Sequence, residues 1–199
     1  MVDVRHLFHF AREQGGGAMV ETLIVLNVIV LIIAAFVEMG LAVNQWNLAA
    51  KAAQVGARLA AVSDSVDSSL SEWSGEVTDV VEPGDPIPAG QGFADRICSG
   101  GNTSCTGGIY SADAMQHLVD RMQQVLPRLT SDNVRVAYRF TGLGYAGRPG
   151  GPVPTITVSI VDVTFDFFIL GRLLGLDALR MPEFSTTIVG EDMATTYAG

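Results

Sequence analysis

Residues 22–43 read TLIVLNVIVLIIAAFVEMGLAV, and 18 of these 22 residues are apolar, the exceptions being Thr22, Asn27, Glu38 and Gly40. At ~1.5 Å per helical residue the stretch is about 33 Å long, enough to cross a hydrocarbon core of ~30 Å. A secretory signal has a shorter apolar region, typically ~7–15 residues, ending at a small-residue cleavage site. The stretch therefore reads as a single-pass membrane anchor. It also resolves a conflict in the composition of the 199-residue chain, which is 48% apolar with a mean hydropathy of +0.33 and yet carries a formal net charge of −9. Those figures average one greasy helix with an acidic remainder, since residues 44–199 hold 10 basic and 17 acidic residues.

With one Lys and eleven Arg the chain has no basic stripe, which excludes non-specific nucleic-acid binding by counterion release. Charge does not orient the span, because Arg5 and Arg12 precede it while Lys51 and Arg58 follow it. The two cysteines, Cys98 and Cys105, are separated by SGGNTS. Such a close pair in a Gly/Ser loop suits a disulfide in an oxidising compartment, which puts the residues after the span outside the cytoplasm. Neither a second cysteine pair nor a neighbouring His completes four metal ligands, so no metal and no cofactor are expected.

The span is preceded by Gly15-Gly16-Gly17-Ala18-Met19-Val20-Glu21. A carboxylate opening an apolar segment is costly in lipid and reads as functional. It also reads as a headgroup-level residue that favours a helix N-terminus through the macrodipole. The arrangement as a whole resembles a type IV prepilin, in which a short leader ends in Gly and an apolar helix carries Glu at the fifth mature position. Cleavage between Gly16 and Gly17 gives that spacing for Glu21; cleavage one residue later would place Glu21 fourth. The similarity extends over residues 15–62. Ala18-Met19-Val20-Glu21, Glu38-Met39-Gly40 and Gly56-Ala57-Arg58 resemble the recurring motifs of TadE/TadG-like minor pilins, or pseudopilins, of tight-adherence (Flp) type IV pilus systems.

That resemblance implies processing by a prepilin peptidase and a bacterial inner-membrane topology with the leader in the cytoplasm and the head in the periplasm. The implied partners are other pilin-like subunits and inner-membrane pilus assembly proteins. The implied role is non-enzymatic: assembly, initiation or capping of a pilus, in support of surface adhesion.

No Pro occurs before Pro83, so nothing breaks the helix at the membrane surface. Within residues 44–62 a step of 100° per residue puts Trp46, Ala49, Ala50, Ala53, Ala57 and Ala60 on one stripe, opposite Asn47, Lys51, Gln54 and Arg58. A helix over 18–62 would be about 65 Å long. Its Ala stripe permits close approach of another helix or of a covering sheet. The expected assembly and packing residues are Glu21, Glu38, Gly40, Trp46, Ala53 and Ala57. For Glu38 two readings stand open: snorkelling to the interface, or pairing with a partner subunit in the membrane.

Residues 63–95 hold eight acids (Asp64, Asp67, Glu72, Glu76, Asp79, Glu82, Asp85 and Asp95) and no Lys or Arg, so this part reads largely as a solvated connector. It has no EF-hand spacing. Ser111 is positioned to cap a helix with apolar residues at Met115, Leu118, Val119, Met122, Val125, Leu126 and Leu129, which Pro127 should end or bend. His117 lies beside that apolar face and reads as an ordinary histidine. Val134, Val136, Tyr138 and Phe140 alternate as in a half-buried strand, and a Gly-rich hairpin loop follows. Apolar parity switches near Ile160 and Val161, which predicts a bulge. Residues 169–179 (ILGRLLGLDAL) read as a short helix, or as a loop whose apolar side is available to membrane or to another subunit. Residues 184–189 form a last strand.

The expected organisation is a leader (1–16), a transmembrane and stalk helix (17–62), an acidic connector with a disulfide loop (63–110), and an α+β head (111–199) with an antiparallel sheet packed on helices. A structural pilus subunit is the leading function. A membrane-anchored extracytoplasmic binding or sensor module is the alternative. A hydrolase is disfavoured because neither Gly-x-Ser-x-Gly nor HExxH occurs.

Overall fold

The computed structural model describes residues 15–70, 81–88, 92–148, 153–175, 178–190 and 193. Most of the expected leader (with His6 and His9), the acids Glu72, Glu76 and Asp79, and the end of the Gly-rich hairpin loop lie outside the described residues. The chain is α+β, a long N-terminal apolar helix followed by an antiparallel sheet packed with helices.

Helix α1 runs Gly15–Ala60 without interruption. No proline falls within it, and its interior glycines beyond Gly17 are Gly40 and Gly56, each a local cost of about 1 kcal/mol relative to Ala that 46 residues of helix absorb. The described residues fall into two compact units. One holds those up to Val43 and those of Asp166–Ala178; the other holds those of Asn44–Phe165 and those from Leu179 onward. In the first unit α1 exposes large apolar side chains all round, among them Leu23, Ile24, Leu26, Ile29, Ile33 and Phe36. A helix this long and apolar meets the requirement for crossing a membrane.

The second unit is built on a five-stranded sheet in the order β2-β1-β3-β4-β7, antiparallel throughout, with β1 Arg96–Ser99, β2 Ser104–Cys105, β3 Val134–Phe140, β4 Pro154–Ile160 and β7 Phe184–Val189. Alternation fixes its faces: Val134, Val136, Tyr138, Ile156, Val158 and Ile160 are fully buried, whereas Arg135, Ala137 and Arg139 are not. Helix α2, Ala112–Gln123, begins where the sequence places it, with the Ser111 hydroxyl accepting the Ala114 N–H at 3.3 Å. It buries Met115, Leu118, Val119 and Met122 and stops before Pro127. The predicted last strand coincides with β7.

Three features differ from the sequence reading. β4 ends at Ile160, and the chain turns through Asp162 at φ 56°, so the parity switch is a turn into the two-residue strand β5 (Thr164–Phe165), not a bulge. Asp67 is not a solvated acid; it is fully buried, and Val66, Leu70 and Phe93 of the same stretch are buried as well. The disulfide loop belongs to the sheet, because β1 pairs with β3 from Arg96↔Tyr138 to Ser99↔Arg135. Residues 166–178, an excursion between β5 and β6 (Leu179–Arg180), contain the five-residue helix α3, Leu170–Leu174.

Candidate assembly helix

The N-terminal end of α1 carries Gly17 and Glu21, both exposed. Gly16 and Gly17 are helical, and among the described residues nothing lies within 4 Å of where a Cβ on Gly17 would be. Glu21 is exposed and has no hydrogen-bond or ion-pair partner among the described residues. Beside it, the Thr22 hydroxyl donates to the Ala18 carbonyl at 2.8 Å, so this side chain is satisfied within the helix itself.

Glu38 is the contrast. It lies near the C-terminal end of the apolar stretch and is only 4% exposed. Its carboxylate accepts the backbone N–H of Ile169 and, at 3.1 Å, that of Leu170, which are the first amides of α3. A helix leaves its first N–H groups without internal partners, and a carboxylate is the acceptor that best complements them. Glu38 thus pairs within its own chain, with backbone 131 and 132 residues away, and does not snorkel. Two residues on, Gly40 is exposed with open space around it, so this unit has no steric need for a glycine there.

In the second unit the same helix is buried by its small residues. Ala49, Ala52, Ala53, Ala57 and Ala60 are buried, and Lys51, Gln54 and Arg58 are exposed. Ala53 and Ala57 therefore pack inside their own unit. Trp46 is half-exposed and meets Phe184 edge-on, with ring centroids 5.0 Å apart. Sequence reasoning missed Gly56: a Cβ there would lie 2.6 Å from Met122 Sδ, so the buried Met122 side chain fills the space that a side chain at 56 would need.

The chain just after α1 is anchored by a polar cluster that sequence reasoning also missed. Asp67 Oδ1 accepts from the Ser69 N–H (3.1 Å), the Ser69 hydroxyl (2.6 Å) and the Ile109 N–H (2.9 Å), while Arg96 Nη1 donates to Oδ2 at 2.9 Å. Burial pushes the Asp67 carboxyl up, but the Ser69, Ile109 and Arg96 donors outweigh it and hold the group below its ordinary value of 3.8. Gly108 is required beside it, since a Cβ would fall 2.1 Å from the carboxylate. Val66 N–H donates to the Tyr138 hydroxyl at 2.9 Å, and burial pushes that phenol above its ordinary 10.0. The available signal was SDSVDSS, in which an Asp followed two residues later by Ser is a turn-former.

Cys98 and Cys105 form the expected disulfide; they sit directly opposite each other in the β1–β2 ladder with Cα atoms 4.0 Å apart. No group of three or more His, Cys, Asp or Glu that could hold a metal occurs among the described residues.

The helix bearing Gly17, Glu21, Glu38, Gly40 and Gly56 is also where a known family is matched: the model described as TadE-like protein aligns with residues 16–58. This segment is TadE-like. The TadE-like match covers nearly the whole of α1 and stops before the sheet. No curated protein and no solved structure matches the chain.

Proposed function

We propose that the chain is a non-enzymatic, pilin-like subunit of a tight-adherence (Flp) type IV pilus system, acting in assembly, initiation or capping. The observation that carries this reading is the combination of the TadE-like match over 16–58 with an apolar half-helix that its own unit leaves exposed. In this scheme a prepilin peptidase removes residues 1–16 by cutting between Gly16 and Gly17. Residues 17–62 then serve as membrane span and stalk, the acidic, disulfide-bearing stretch 63–110 follows, and 111–199 completes the head. The anchor sits in the bacterial inner membrane with the head in the periplasm, from which the subunit joins other pilin-like subunits and the inner-membrane assembly proteins.

Glu21 is the residue expected to register the subunit against its neighbours, because it is exposed, unpaired among the described residues and placed at the start of the apolar segment. Gly40 supports the same reading: it weakens the helix without relieving any contact among the described residues, as expected of a close-approach point for another helix. The test is Glu21→Ala in the processed, membrane-inserted chain. The expected outcome is reduced incorporation into the pilus or its basal complex, with unchanged thermal unfolding of the head. Normal assembly by this variant would favour the anchored binding or sensor module instead.

A further inference from the structure

We propose that residues 166–175 form a second membrane contact, an interfacial wedge whose Phe168, Ile169 and Leu173 lie in lipid at the C-terminal end of the span, held at that depth by Glu38. The inference rests on the reading that residues 22–43 cross a bilayer. Phe168, Ile169 and Leu173 are 75%, 45% and 57% exposed, an apolar cluster that water would penalise, whereas Leu170 between them is buried. Residues 168–173 therefore turn Leu170 toward the protein and Phe168, Ile169 and Leu173 outward, the pattern of a segment lying in a membrane interface.

Glu38 sets the depth. Its bonds to the Ile169 and Leu170 amides fix the start of α3 level with a residue five positions before Val43, about 8 Å inside the end of the span at ~1.5 Å per residue. Interfacial helices bury their apolar faces by ~5–10 Å, so the wedge sits where such helices are stable. The two partners also need each other. A lone carboxylate within the span and the unpaired first amides of a five-residue helix are each costly near lipid, and the contact satisfies both.

The occupant is lipid and not another subunit, for two reasons. The side chains of α1 around Glu38 that face outward, Phe36, Val37, Met39 and Leu41, are themselves exposed and apolar, so lipid covering them meets the wedge without a change of medium. In addition, Arg172 is exposed and its guanidinium lies 5.6 Å from the centre of the Phe168 ring, and a long cationic side chain beside an apolar cluster can reach up to lipid phosphates while its stem stays in the apolar layer.

The experiment uses the full chain in vesicles of phosphatidylethanolamine and phosphatidylglycerol, spin-labelled singly at Phe168→Cys, Leu173→Cys or, as a reference in the span, Val30→Cys. Collision rates are read with oxygen, which partitions into lipid, and with a water-soluble nickel chelate. Oxygen is expected to dominate at all three positions. Glu38→Ala is expected to lower the oxygen-to-nickel ratio at residue 168 severalfold without changing it at residue 30, while Glu38→Gln, which keeps a carbonyl acceptor, retains most of it. Nickel access at 168 and 173 with residue 30 in lipid overturns the wedge alone; nickel access at residue 30 overturns the span reading as well. Shielding of 168 and 173 from both reagents means a protein contact and overturns the choice of lipid. An unchanged ratio in Glu38→Ala overturns the role given to Glu38.

Discussion

The two halves of α1 handle apolar surface in opposite ways. Before Val43 the large residues point outward and are 47–78% exposed at Met19, Leu23, Ile29 and Phe36; after Asn44 the buried residues are alanines and Gly56. A water-soluble helix hides its large apolar residues, so the first half is built for surroundings that the chain itself does not provide, either lipid or neighbouring helices. The second half is built for its own head, with small residues that let α2 come close. One continuous helix therefore joins an element that needs company to one that is already satisfied.

If that contrast holds, damage to the head should leave the first half in the membrane. The largest effect is expected from Asp67→Ala, which strands the mostly buried Arg96 and removes the anchor of residues 65–70. The loss should be about 3–5 kcal/mol of head stability in chemical denaturation, with membrane association retained. The same group predicts an acid sensitivity. Its folded pKa lies below the ordinary 3.8, so its contribution is fully present above that pH and is lost as pH falls through the lowered value; Asp67→Asn should remove this dependence. Loss of membrane association in Asp67→Ala would show the halves to be one cooperative unit.

The disulfide comes next. Replacing Cys98 and Cys105 together by Ser releases a loop with a sequence separation of 7, and loop-closure entropy puts the loss at about 2.5 kcal/mol, readable as a lower midpoint in urea. The smallest effects come from the glycines and divide the helix most sharply. Gly56→Val should cost the head about 1–3 kcal/mol through the clash with Met122. Gly40→Ala meets nothing within 4 Å among the described residues and should leave the head's unfolding unchanged while impairing subunit assembly. Equal destabilisation by the two would erase the distinction between the halves.

Elements governed by local pattern were legible in the sequence. The uninterrupted α1, the Ser111 cap, the alternation of β3 and the span of β7 all follow from period, capping and proline placement. Within the site, the pairing of Cys98 with Cys105 was accessible in the same way. What escaped depends on partners far along the chain. Glu38 is matched to amides more than 130 residues away, and Asp67 is matched to Arg96 and Ile109, so neither has a local periodicity that announces its burial. An acid in a Ser-rich run looks solvated until four donors converge on it. Gly56 looked like part of a small-residue motif until Met122 was found against it.

The central claim is that α1 begins, in the mature protein, at the edge of the exposed apolar half. N-terminal sequencing of the chain recovered from membranes of cells with an active prepilin peptidase tests it directly. The expected first residue is Gly17, which puts Glu21 at the fifth position; a start within residues 35–45, or an uncut chain, would contradict the pilin reading.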